Sequence, residues 1–347
     1  MQRQTTRGVA LKAALMTGTL LALTGLAIKV SSRFSTKDLA ALPIDPATDY
    51  EMALARFAQV QAQEEADASL NPVCHSKLLT HGRKVERAII LMHGMTNCPQ
   101  QYVELAPLFY ERGYNVLISL MPCNGLADPN TDALKQVTAT ELRDCSATMV
   151  NIAQGLGDHV TFVGISVGGV MVAWVAQNRA DVDKAVMIAP SFTVSPLLGV
   201  FLGKLVMYLF LIMPNIMTQW FKPFEGGLGH NYRGFATRGL GQMMRLGFSV
   251  YDAAKTTKAS AQSLLVITNA ADPAVNNNIT RQLVVRWQAG GLHNLDTYEF
   301  DAKYKLIHDI IDPDQRYQQT ALVYPVLLDL ITCLFESKSR ELARQVT

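Results

Sequence analysis

The stretch Val160-Thr-Phe-Val-Gly164-Ile-Ser166-Val-Gly168-Gly169 constrains this chain more than any other. A β-branched apolar run leads straight into Gly-x-Ser-x-Gly, and the helical run Gly169-Val-Met-Val-Ala-Trp-Val-Ala-Gln177 follows. That is the strand–turn–helix of a nucleophile elbow. The turn is too tight for side chains on its flanks, so Gly164 and Gly168 let strand and helix approach each other. It lifts the Ser166 hydroxyl above the sheet, and the next helix aims its N-terminal amides and positive dipole end at the same point.

Around the elbow, short apolar runs alternate with helical ones. Strands are expected at 88–92, 115–120, 159–165, 184–190, 263–268 and 296–300. Helices are expected over 100–112, 132–154, the run after Ser166, 277–288 and about 318–344. Strands that are apolar on both faces and separated by helices imply an α/β fold, a mostly parallel central sheet with helices on both faces. Between 191 and about 261 the rhythm breaks into a helical region rich in Leu, Met and Phe, with Pro214, Trp220, Pro223 and Gly226-Gly227. Residues 197–217 are nearly all apolar, interrupted by Lys204. A membrane segment is one reading of them. A lysine at mid-span is costly in lipid, so a helical lid whose apolar face roofs a pocket is preferred.

Residues 13–28 carry no charge, with Arg3, Arg7 and Lys12 before them and Lys29, Arg33 and Lys37 after. A membrane span wants about 20 apolar residues. The run fits either a secretory signal peptide, with small residues Gly25 and Ala27 before a cut, or an uncleaved N-terminal membrane anchor. Basic residues on both sides leave its orientation open. Export to the periplasm of a bacterium, or anchoring in its inner membrane, is the expectation. The organisation is then 1–30 signal or anchor, 31–70 linker and amphipathic helix, 71–190 core, 191–261 helical lid and 262–347 core.

The formal net charge of +2, without a basic block outside the N-terminus, argues against a nucleic-acid partner. The five cysteines include no Cys-x-x-Cys pair and no zinc spacing, so no metal is expected. In an oxidising compartment a Cys74–Cys98 bridge would tie the segment before the core to the loop beside the elbow. Unpaired core cysteines are the alternative. Nothing in the sequence pairs Cys123, Cys145 or Cys333.

A serine nucleophile needs a base, an acid to orient that base, and donors for an oxyanion. In an open α/β sheet these lie at the carboxyl ends of strands. Asp272 follows the strand at 263–268 and is the expected acid. Asp301 is the second candidate, while Asp309 and Asp312 read as helix or turn caps. Among the histidines, His75, His81 and His93 precede the serine. His159 and His293 lie at the amino ends of strands, and His230 falls inside the lid. His308, just past the last strand, is the base that remains. Oxyanion donors are expected from the amides of Val167 and Met95, with Gly94 permitting unusual backbone and His93 bonding backbone to fix the loop.

With His93-Gly94, Gly164-x-Ser166-x-Gly168, Asp272 and His308 in that order, the chain resembles the α/β-hydrolase fold superfamily, over about 88 to the C-terminus. Leu91-Met-His-Gly-Met-Thr-Asn97 and the elbow look like its carboxylesterase and monoacylglycerol-lipase branch. Met95 stands where that branch has an aromatic, and Asn124 in Met121-Pro-Cys-Asn-Gly125 where relatives often have a histidine. The resemblance implies hydrolysis of small-molecule carboxylic esters, a helical cap after the sixth strand, and no cofactor. The apolar lid favours an apolar acyl group. Thioester hydrolysis, acyl transfer to alcohols and cofactor-free haloperoxidation run on the same triad and stay open, as does a non-catalytic membrane-tethered binding domain.

Overall fold

A computed structural model describes residues 35–219 and 229–332. The N-terminal apolar run, Trp220, Pro223, Gly226-Gly227, Cys333 and the end of the terminal helix lie outside the described residues. The chain divides into two compact units, Met1–Ala40 and Ala41–Thr347. In the first, Lys37–Leu39 form a short 3-10 turn. The second holds everything below.

Its sheet has seven strands: β1 (Lys77–Leu79), β2 (Val85–Met92), β3 (Tyr114–Ser119), β4 (Gly157–Ile165), β5 (Lys184–Ile188), β8 (Leu264–Asn269) and β9 (Leu295–Phe300). They run in the order β1-β3-β2-β4-β5-β8-β9, parallel except for the antiparallel edge strand β1. The central strands β5 and β8 are buried along their whole length. At the far edge, β9 is enclosed only at its two ends. One face of the sheet, including Ile89, Leu91, Val163, Ile165, Val186 and Ile188, packs with α2 (Leu105–Tyr110) and α8 (Thr320–Thr332), while α7 (Asn277–Ala289) connects β8 to β9. Alternate residues point the other way, toward α3 (Ala139–Leu156) and α4 (Val167–Asn178). Upstream, α1 (Tyr50–Glu65), capped by Asp49, lies against α3.

Two expected helices are interrupted. Over 100–112 the chain forms a 3-10 turn, Pro99–Tyr102, and then the short α2. Pro107 lacks an N–H, and its ring would clash with the carbonyl four residues back, so the α-helix starts afresh after Val103. Over 132–154 a 3-10 turn at Ala133–Lys135 precedes α3. There Thr138, extended at φ −118° and ψ 154°, begins a new helix in a capping box with Glu141.

The inserted region follows the fifth strand of the chain, one earlier than the resemblance implies. It contains α5 (Val200–Ile212), the antiparallel pair β6 (Met217–Gln219) and β7 (Gly234–Ala236), and α6 (Thr237–Ala253). Most residues of α6 are buried, and it packs on α3 and α4. α5 lies on α6 through Gly203, Met207 and Leu211, and Lys204 pairs with Asp252 of α6 at 2.6 Å. Its larger apolar stripe faces solvent instead of roofing a pocket; Leu197 just before the helix is 88% exposed and Phe201 is 86% exposed. Among the described residues no helix is long and apolar enough to cross a membrane.

Candidate active site

Ser166 stands between β4 and α4 at φ 57° and ψ −115°. A non-glycine residue held in such a conformation costs about 1–3 kcal/mol unless its surroundings enforce it. Here they do. The Ser166 N–H donates to the Ile188 carbonyl at 2.9 Å, and its own carbonyl accepts from Ser191 at 3.1 Å and Val170 at 3.2 Å. The flanking glycines serve close approach. A Cβ on Gly164 would lie 2.3 Å from the Gly168 carbonyl oxygen, and one on Gly168 would lie 2.3 Å from that of Met92.

His308 comes from the loop after β9. Its Nε2 is 2.9 Å from Ser166 Oγ and its Nδ1 is 2.7 Å from Asp272 Oδ2. Asp272, in the loop after β8, has a fully buried side chain whose Oδ1 accepts from the amides of Ala274 and Val275. The structure thus brings together the three residues singled out in the sequence. Burial pushes the His308 imidazole toward its neutral form. The charge and hydrogen bond of Asp272, with the charge of Asp309, outweigh this and hold it above its ordinary value. Asp301 takes no part; it caps the turn Ala302–Tyr304 in solvent. Asn269 went unnoticed in the sequence, yet its Nδ2 donates to the carbonyls of Leu306 and Ile307 and so carries the histidine loop.

The loop at residues 93–97, the expected oxyanion loop, follows β2 and abuts the serine: a Cβ on Gly94 would lie 3.5 Å from Ser166 Cβ. That is ordinary contact, and Gly94 is not in the left-handed region. The unusual backbone falls instead on Thr96, at φ 73°. Its amide donates to Asn124 Oδ1 at 3.1 Å, and its carbonyl accepts from the Tyr232 amide at 2.9 Å. Asn124, the departure from the family wording, therefore braces this loop. His93 bonds backbone as expected: its Nε2 accepts from the Met121 amide at 2.9 Å and its Nδ1 donates to the Gly94 carbonyl at 2.7 Å. Burial, with the nearby His230 adding to it, lowers the His93 pKa to about 4 against the Gly94 bond, so the ring is neutral near pH 7. Met95 is buried within the loop, and Val167 opens α4, where amides lack intrahelical acceptors.

Cys74 and Cys98 form a disulfide, with Cα atoms 5.2 Å apart, that ties the segment before β1 to the end of the oxyanion loop. Cys123 and Cys145 are free thiols, and burial pushes both up to about 11. His230, in the inserted region, is buried, and its Nε2 is 3.0 Å from Asp312 Oδ2. Asp309 and Asp312 do cap local turns, but they also share the Asn97 amide. Burial and the adjacent Asp312 carboxylate raise the Asp309 carboxyl above its usual range. Among the described residues, one trio with ligand atoms close enough for a metal ion is His230, Asp312 and Asp314. Two of its members are already bonded to each other, and Asp314 is exposed.

A family model described as serine aminopeptidase, S33 (Hydrolase_4) matches residues 83–223. No curated protein matches the chain. Among solved structures, one reported for the metagenome-derived lipolytic enzymes LipS and LipT aligns with a TM-score of 0.57 at 16% identity, covering 76% of this chain and 98% of that one. The monoacylglycerol lipase of Paleococcus ferrophilus aligns with a TM-score of 0.56 at 16% identity, covering 74% and 97%. At this identity the likeness is one of fold.

Proposed function

We propose that this chain is a member of the α/β-hydrolase fold superfamily that hydrolyses carboxylic esters through Ser166, His308 and Asp272. The observation that carries this reading is the unbroken line from Ser166 Oγ through the imidazole to Asp272, at 2.9 and 2.7 Å. His308 Nε2 takes the hydroxyl proton as Oγ attacks the ester carbonyl. Asp272 holds the tautomer with its proton on Nδ1 and stabilises the imidazolium that forms. The amides of Met95 and Val167 receive the oxyanion. As the tetrahedral intermediate collapses, His308 returns the proton to the departing alcohol and leaves an acyl-enzyme. Water, deprotonated by the same nitrogen, then releases the acid and restores Ser166.

An apolar acyl group is proposed because the two structural neighbours named above are lipolytic. The serine aminopeptidase model favours a second reading, cleavage of an N-terminal aminoacyl amide by the same three residues. Export to the periplasm, or anchoring in a bacterial inner membrane, is supported by the apolar run at 13–28 and by a disulfide of the kind kept outside reducing compartments.

The test is labelling by a fluorophosphonate probe together with a chain-length series of nitrophenyl esters and aminoacyl nitroanilides. Labelling and ester hydrolysis that vanish in Ser166→Ala support the reading. Hydrolysis surviving that substitution, or nitroanilides cleaved as fast as esters, would overturn it. Equal rates on acetate and longer acyl groups would remove the acyl preference alone.

A further inference from the structure

The oxyanion loop and the histidine loop are far apart in sequence and leave the sheet from non-adjacent strands, β2 and β9. Acyl transfer needs both at the same carbonyl, and a misplacement of about 1 Å can cost 10²-fold in rate. Buried side chains join them. Gln101 Oε1 accepts from the Gly94 amide at 2.9 Å, and the same side chain bonds to Asp309, the residue after His308. Since the oxygen of Gln101 is taken, its amide nitrogen is the donor to Asp309. Asn97 Nδ2 donates to Asp309 Oδ2 at 3.2 Å and to Asp312 Oδ2 at 2.8 Å, while Asn97 Oδ1 accepts from the Cys98 amide. Asn97, Gln101 and Asp312 are all buried.

An amide is the group this position needs. Two carboxylates facing each other repel, and one NH2 group has two hydrogens, enough to satisfy both. The same Asp312 Oδ2 lies 3.0 Å from Nε2 of His230, at the centre of a strap by which the insertion returns to the body. Asn71 Nδ2 donates to Gly229 O, the Tyr232 amide donates to Thr96 O, and the Tyr232 hydroxyl donates to Cys123 O while accepting from the Leu126 amide. The strap therefore grips the oxyanion loop through Tyr232 and the histidine loop through His230.

We propose that Asn97, bonded to Asp309 and Asp312 and backed by His230, is a positioning centre that holds the oxyanion loop in register with His308 and makes turnover depend on the seating of the inserted strap. This rests on the ester-hydrolase reading and names positioning residues for it. None of the four side chains transfers a proton in the reaction; they act through His308 and the loop amides.

Three variants test it, with circular dichroism confirming that each folds. Asn97→Asp keeps the shape but replaces the shared donor with a third carboxylate, and should lower kcat by about 10²-fold with KM changed by no more than about twofold. His230→Ala should lower kcat by roughly tenfold. His230→Gln, which returns a donor to Asp312, should recover most of that loss. The downfield proton resonance of the His308–Asp272 hydrogen bond is a readout that needs no substrate. It should shift or broaden in Asn97→Asp and His230→Ala and return in His230→Gln. Wild-type kcat and resonance in the folded variants, a change confined to KM, or His230→Gln no better than His230→Ala would each overturn the proposal. If the wild type hydrolyses no ester, the ester reading fails and the resonance alone decides this one. If Asn97→Asp does not fold, the two His230 variants decide it.

Discussion

Residues 160–165 and residues 197–213 are both almost uncharged apolar runs, yet β4 is enclosed over the first while half of α5 stands in water within the second. The strand is surrounded because β2 and β5 pair with it on both sides and helices cover both faces. Among the described residues the helix packs mainly on α6, which takes the narrow stripe at Gly203, Met207 and Leu211. Even its lysine is turned toward α6, into the pair with Asp252, leaving the outward stripe without charge. Apolar composition therefore predicted burial correctly only where the topology supplied neighbours on every side. Around Ser166, by contrast, Ser166, His308 and Asp272 are each held by specific hydrogen bonds, and that commitment separates the two regions.

The largest effect should sharpen this contrast at the elbow. Asp272→Asn keeps the shape but favours the wrong imidazole tautomer, and should lower turnover by about 10⁴-fold with the fold intact; nitrophenyl ester kinetics beside a thermal melt would read both. The pH profile follows from the same pair. His308 must be neutral to act as base, so a pKa held above its ordinary 6.5 places the acidic limb of kcat/KM above that pH. The stability contribution of the pair runs the other way, complete below pH 6.5 and lost as pH rises through the raised value. In Asp309→Asn the limb should move to lower pH, because one carboxylate that favours the imidazolium is gone. An unmoved limb would mean that the Asp309 charge does not reach the base.

Next in size, replacing Cys74 and Cys98 with alanine should cost about 3.5 kcal/mol by loop-closure entropy for a separation of 24 residues, measured by urea unfolding. Within α5 two substitutions compare the inner and outer stripes directly. Met207→Ala should destabilise by about 2–3 kcal/mol through the cavity it leaves. Phe201→Ser should stay within about 0.5 kcal/mol, as exposed substitutions do. Equal costs at the two positions would break the distinction between enclosed and open apolar sequence.

His93 adds a pH-dependent stability test of the oxyanion loop. Its folded pKa of about 4 lies below the ordinary 6.5, so the stability tied to its neutral form is present above pH 6.5 and lost as pH falls toward 4. Protonation would expel the Met121 amide from Nε2. A stability profile flat over this window, or unchanged in His93→Gln, would contradict that assignment.

Much of the fold and the central trio were legible in the letters. Strands read clearly because parallel strands buried on both faces are continuous apolar runs. His308 and Asp272 emerged because only strand carboxyl ends can supply an elbow serine. The supporting residues left no such trace. Asn97, Gln101, Asn124 and Asn269 are single amides in loops and turns, where asparagine and glutamine are commonplace, and each has a partner tens to hundreds of residues away. His230 was placed in the lid because its neighbours in sequence were, whereas its side chain belongs with Asp312.

Local physics sufficed for what the sequence alone determined: the elbow, with glycines where no Cβ fits, the alternation that makes a parallel sheet, and the order of serine, acid and base. Only the tertiary structure decided which backbone would carry the strain, Thr96 instead of Gly94, which face of α5 would meet water, and which amides would join the loops after β2 and β9. The reason is one of range. Conformational preference and hydrophobic period act over a few neighbouring residues, while the partners of a buried polar side chain are set by whichever distant loops the folded sheet brings beside it.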